Sequence, residues 1–106
     1  MKLKATLLAV VVAGFAFNAI AEDIKVGAVV PVSGGIATFG QENLNGMKLA
    51  LEKINKKGVR GKSKIQLISE DDKSEQIEAT NAIRKLINVD KVVAVIGEVT
   101  SSNTLA

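Results

Sequence analysis

The chain has no cysteine, histidine, tryptophan or tyrosine, and proline occurs once. Each absence removes something. Without cysteine no disulfide can form, although an exported chain would be free to make one. Without histidine or cysteine, neither a Ser-His-Asp nor a Cys-His arrangement can be assembled. Three phenylalanines are the only aromatics among 106 residues. The basic residues are scattered, and no aromatic is interleaved with them to stack on bases. Nothing here points to nucleic acid.

What is present begins with a leader-like segment. Lys2 and Lys4 give a positive start, Leu7 to Phe17 is apolar apart from Gly14, and Ala19-Ile20-Ala21 is a small-x-small cleavage site. That apolar core is shorter than the ~20 residues a spanning helix needs, which favours a cleaved signal over a retained anchor. No cysteine follows it to carry a lipid. The expected division is residues 1–21 as signal peptide and 22–106 as a soluble product beyond the inner membrane. Removing Lys2 and Lys4 leaves 12 basic against 11 acidic residues, so the apparent charge of +3 falls to about +1.

From Glu22 onward the patterning alternates. Ile24 to Val30 reads as a strand, closed by Pro31, which lacks an N–H for the ladder. Leu44, Met47, Leu51 and Ile54 recur at helical spacing, predicting an amphipathic helix over about 41–55 that stops at Lys56-Lys57-Gly58. Lys64 to Glu70 is a second strand. A second helix is predicted over about 75–88, with Ala79, Ala82, Ile83, Leu86 and Ile87 inward and Glu75 and Glu78 near its positive end. Val92 to Ile96 is a continuous β-branched run, suited to a strand buried on both faces. The order β-α-β-α-β, with a third helix beginning, implies a doubly wound α/β parallel sheet joined by right-handed crossovers.

Several sites can be tested by spacing. Gly35-Ile36-Ala37-Thr38-Phe39-Gly40 has the glycine spacing of a phosphate loop. Gln41-Glu42 follows where that loop needs Lys and then Ser or Thr, and Glu42 would repel phosphate. The fingerprint G-x-G-x-x-G is absent too, so no nucleotide cofactor is expected. Asp71 and Asp72 could be imagined as metal ligands or an acid/base pair, but sequence neighbours point apart and helix starts attract Asp for dipole reasons. Neither metal nor catalysis is expected.

The remaining candidates follow the first and third strands. After Gly97, Thr100, Ser101, Ser102 and Asn103 crowd hydroxyls and an amide at a strand's carboxyl end, where open α/β sheets bind ligands. If Ser101 or Ser102 caps a helix starting near Asn103, its N–H groups favour an anionic group such as a carboxylate. An ordinary capped turn explains the same residues. In the first loop, Thr38 and Ser33 offer hydrogen bonds and Phe39 an apolar wall, or else a core aromatic folded under the loop. Together the loops suit a small polar molecule with an apolar part.

With both loops in view, the chain resembles the periplasmic substrate-binding proteins of branched-chain amino-acid ABC transporters, a leucine-binding family with the type I periplasmic-binding fold. The resemblance lies in Glu22-Asp23-Ile24-Lys25-Val26-Gly27, in Val32 to Gly40, in Asn45-Gly46-Met47-Lys48-Leu49-Ala50 with Ile54-Asn55, and in Val95-Ile96-Gly97-Glu98-Val99-Thr100-Ser101-Ser102. It implies two α/β lobes that close on a ligand, of which residues 22–106 supply part of the first. Ser101, with Thr100 and Ser102 near it, would hold the α-carboxylate; Phe39, with Thr38 beside it, would line the side-chain pocket. The second lobe, hinge and ammonium-binding residues would lie beyond Ala106. The implied protein is a periplasmic monomer that takes up leucine, isoleucine or valine and delivers it to an inner-membrane permease, whose partner hydrolyses ATP. Relatives that bind urea, short amides or aromatic acids, and sensory modules of the same fold, give the alternatives. Some relatives carry a disulfide between the second-strand region and the third-strand loop; here that loop would rely on hydrogen bonds and packing.

Overall fold

The computed structural model describes residues 22–106, so the signal segment expected at 1–21 lies outside the described residues. Strand β1 (Ile24–Val30) ends at Pro31 as its sequence dictates. Strand β2 (Ile65–Asp71) pairs with it in parallel from Ile24↔Ile65 to Val30↔Asp71. Strand β3 (Ala94–Ile96) pairs in parallel on the other side, from Val26↔Ala94 to Ala28↔Ile96. The sheet order is β2-β1-β3, with β1 central.

Parallel neighbours need crossovers, and two helices supply them. Helix α1 (Ala37–Lys57) carries the chain from β1 to β2, and α2 (Gln76–Lys85) carries it back past β1 to β3. Right-handed crossovers running in opposite directions put the two helices on opposite faces. Facing α2, Val29 joins Ala79, Ala82 and the fully buried Leu86 in the core, with Ile68, Val92 and Val95 packed beside them. Gly27 belongs to the same face, and its missing side chain makes room for Leu86. Strand alternation turns Ala28 and Val30 to the other face. There α1 approaches so closely that a Cβ on Gly40 would lie 2.0 Å from the Pro31 carbonyl oxygen. The predicted α/β parallel architecture is the observed one.

Several boundaries differ from expectation, each for a non-local reason. Helix α1 begins at Ala37, not Gln41, so Thr38 and Phe39 sit in its first turn rather than in a loop. Its early start has no side-chain cap. Tertiary bonds hold it instead: the Ile36 amide donates to Ser74 Oγ, and the Gln41 side chain donates to the Val32 carbonyl. The predicted stripe of Leu44, Met47 and Leu51 is half-buried, while Ile54 stays exposed. Gly58 ends α1 as expected, with positive φ and its N–H donating to the Ile54 carbonyl.

Helix α2 runs from Gln76 to Lys85 and widens into a π-helical turn over Leu86–Asp90. The widening rotates Ile87 out of the predicted buried face, to 52% exposure. Lys85 ties this corner by ion pairs with Glu70 and Asp90. Strand β3 is shorter than the apolar run that predicts it. Val93 and Ile96 are exposed, against the expectation of a strand buried on both faces. Among the described residues, β3 is an edge strand with no further strand beside it.

Candidate ligand site

The winding direction of the connections reverses at β1. One connection leaves it through α1 toward β2, while β3 lies on its other side. In open α/β sheets this switch point opens a crevice beyond the carboxyl ends of the two strands. The exits of β1 and β3 carry the two predicted residue groups to that same edge.

The β3 exit starts at Gly97, where φ is +132° and a Cβ would meet the Val29 carbonyl oxygen at 2.2 Å. Only glycine fits there. Glu98 then folds back on its own chain, and its Oε2 accepts from both the amide and the hydroxyl of Thr100 at 2.7 Å. Helix α3 (Ser101–Thr104) follows. Its cap is Thr100, whose Oγ1 accepts from the Asn103 amide at 3.4 Å, and not Ser101 or Ser102 as the sequence suggests. Thr100 is extended, at φ −108° and ψ 144°, the geometry that swings a hydroxyl over the first turn. Ser101 and Ser102 already belong to that turn, with exposed side chains. Their backbone N–H groups have no acceptor among the described residues.

The β1 exit is held from β2. Asp71 Oδ1 accepts from the amides of Val32 (2.9 Å), Ser33 (3.2 Å) and Lys73 (2.9 Å), and Oδ2 accepts from the Ser33 hydroxyl. Burial pushes this carboxyl upward, but those four bonds outweigh it and hold the pKa below 3.8. Ser74 adds a bond from its hydroxyl to the Ser33 carbonyl. Phe39 is 62% exposed, so it is not a core aromatic among the described residues.

The structure gathers Thr100, Ser101 and Ser102 in one turn, and Thr38 and Phe39 in another. No hydrogen bond joins the two sets among the described residues. A depression of about 400 Å³ at the β3 exit is lined by Glu98, Thr100, Ser101 and Leu105, without Thr38 or Phe39. The sets share the sheet edge through β1–β3 pairing.

Residues 23–106 match a family model described as periplasmic binding protein. The chain belongs to that family. It is 36% identical over 104 residues to the Leu/Ile/Val-binding protein of Escherichia coli K12, a match covering 98% of this chain and 28% of that relative. LivJ, the branched-chain amino acid transporter substrate binding protein of Streptococcus pneumoniae solved with isoleucine, is 37% identical with a TM-score of 0.74. That match covers 77% of this chain and 24% of LivJ. An ABC-transporter solute binding protein of Rhodopseudomonas palustris solved with 3,4-dihydroxybenzoic acid is 34% identical with a TM-score of 0.71, covering 78% of this chain and 22% of its own. The chain thus spans about a quarter of the length of these relatives, and its sheet is that of the type I periplasmic-binding fold.

In this periplasmic binding protein, three residues matter that sequence reasoning set aside or passed over: Asp71, Asp72 and Glu98. A signal for two of them was visible. Glu70 and Asp71 end β2 and Asp72 follows directly, and period-two alternation sends consecutive acids to opposite sides. Asp71 serves the β1 exit. Asp72 is fully buried on the β3 side, with Oδ1 accepting from the Ser74 amide at 2.9 Å. Neither lies in the first turn of α2, so helix-dipole complementarity does not account for them. The expectation that hydrogen bonds and packing would hold the β3 loop is met by the Glu98–Thr100 bonds and by a bond from the Gln76 side chain to the Ser102 carbonyl.

Proposed function

We propose that this chain is part of the periplasmic substrate-binding component of an ABC transporter, which captures leucine, isoleucine or valine for import. The observation carrying this reading is the α3 turn at the sheet's switch point, with exposed Ser101 and Ser102 and two backbone N–H groups that have no acceptor among the described residues. Such a group of donors matches a carboxylate. Names of the relatives support a branched-chain amino acid as its bearer. Ser101 is the principal carboxylate donor, with Thr100 and Ser102 beside it, and Phe39 with Thr38 lines the apolar side of the crevice. Binding is reversible capture without chemistry. The protein reaches the periplasm through a cleaved signal at residues 1–21, acts as a monomer and hands its ligand to an inner-membrane permease.

The decisive experiment is calorimetric titration of the full-length protein with leucine, isoleucine and valine, before and after Ser101→Ala. A lost hydrogen bond to a charged group costs on the order of 1–3 kcal/mol, so affinity should fall between about 5-fold and 150-fold. Unchanged affinity removes Ser101 from the site. A second reading, an aromatic-acid ligand, is favoured by the relative solved with 3,4-dihydroxybenzoic acid. Tight binding of that acid, with none of the three amino acids, would select it.

A further inference from the structure

Three buried polar atoms converge behind the α3 turn, and none has a hydrogen-bond partner: Asp72 Oδ2, Glu98 Oε1 and Asn103 Nδ2. Asp72 is fully buried and Asn103 is 8% exposed. The two carboxyls lie within hydrogen-bonding reach of each other, and Asn103 is near enough to Asp72 to interact with it. Two ionised carboxylates only accept, so facing each other they would repel at close range in a poorly hydrated site. One proton removes the conflict: an O–H···O⁻ bond satisfies Asp72 Oδ2 and Glu98 Oε1 at once.

We propose that Asp72 and Glu98 share a single proton, and that this acid pair is the positioning device that fixes the Thr100–Ser102 turn for its ligand. The proposal rests on the ligand reading given above. Its reach into the turn is direct. Glu98 grips Asp72 through one oxygen and, through the other, the amide and hydroxyl of Thr100, which in turn caps Ser101 and Ser102. Losing the proton leaves two charges facing each other, and Glu98 must turn away, releasing Thr100.

The surroundings agree. Burial, and then Glu98 by hydrogen bond and charge, push Asp72 up to about 6 against the opposing Ser74 amide and Asn103. Burial also raises Glu98, but bonds from Thr100, Val99 and Asp72 bring it below its ordinary value. Burial and the facing carboxylate together favour one bound proton on the pair. Other ionisable groups nearby are engaged elsewhere: Asp71 with Val32 and Ser33, and Lys73 with Glu78 across the start of α2. Glu75, at the start of α2, is exposed; β1 and α3 contribute no ionisable side chain here. Because the folded state holds a proton that the unfolded chain releases, this stabilisation is complete below about pH 4 and is lost as pH rises through about 6.

The test uses the full-length protein, wild type, Asp72→Asn and Glu98→Gln, at pH 5.0 and 7.5. Either amide supplies a permanent donor between the same two positions. Amide hydrogen exchange at Thr100 and Asn103, corrected for the intrinsic rate, should lose about tenfold protection in the wild type on going to pH 7.5, as expected for a group titrating near 6. Both variants should hold protection constant. Leucine affinity should follow the same pattern. Wild-type and variant exchange profiles that coincide would overturn the shared proton. Altered exchange with identical pH dependence of leucine affinity would overturn the positioning role. A wild type that binds no branched-chain amino acid sinks the ligand reading alone, since the exchange measurement needs no ligand.

Discussion

Replacing Asp71 is the sharpest probe of how the β1 exit is held. Its carboxylate gathers the Val32, Ser33 and Lys73 amides on one oxygen and the Ser33 hydroxyl on the other. Asp71→Ala deletes all four bonds at once. The Ser33 and Lys73 amides are exposed and recover water, so their loss costs a few tenths of a kcal/mol each. The Val32 amide is part-buried, and its bond to a charged group is worth about 1.5–3 kcal/mol. The total expected for Asp71→Ala is about 2–4 kcal/mol. Asp71→Asn keeps an oxygen for the three amides and presents an NH₂ to the Ser33 hydroxyl, which can accept. It loses charge but no bond, and should cost about 1 kcal/mol. The assay is urea unfolding of the full-length protein at pH 7, fitted by linear extrapolation. The pH dependence separates the two carboxyls. Asp71 has a lowered folded pKa, so its stabilisation is present above 3.8 and is lost as pH falls through the folded value. That is opposite in sign to the Asp72 effect. If the Asn and Ala variants are equally destabilised, or neither differs from wild type by more than about 0.5 kcal/mol, the clamp does not operate as reasoned.

Two further outcomes follow from the packing. Leu86→Ala should destabilise the full-length protein by about 3 kcal/mol in the same assay, since large-to-small changes at fully buried leucines cost about 2–5. Its neighbours Gly27, Ala79 and Ala82 are too small to fill the hole, and a loss under 1 kcal/mol would show that they can. Residues 22–106 expressed alone should unfold with poor cooperativity and bind leucine weakly, because Ile77, Val93, Val89 and Phe39 are each more than 60% exposed among the described residues. A steep urea transition together with micromolar leucine binding by that fragment would refute this.

Much of the fold was legible before any coordinates, and the reason is locality. Strands β1 and β2 follow from short β-branched stretches, Pro31 stops β1 because it lacks an N–H, and Gly58 ends α1 because it accepts positive φ. These depend on neighbours a few residues away, as does the alternation that implies a parallel sheet. Ser101 and Phe39 could be singled out as candidates because they follow the carboxyl ends of β3 and β1. What sequence could not supply was anything decided across the sheet. The order β2-β1-β3, which brings the exits of β1 and β3 to one edge, is a property of pairing between segments some 70 residues apart. The early start of α1 depends on Ser74, and Ile87 turns outward through a π-helical turn that no apolar periodicity announces. Most telling are Asp71 and Asp72. As residue types they read as the start of a helix, yet alternation at the end of a central-sheet neighbour sends one to each exit. Which hydroxyl caps α3 was settled likewise by Glu98 reaching back to Thr100. Local chemistry determined which segments are strands and helices; only the packed sheet determined which of their polar groups meet, because a buried carboxyl takes whatever partner the fold leaves within reach.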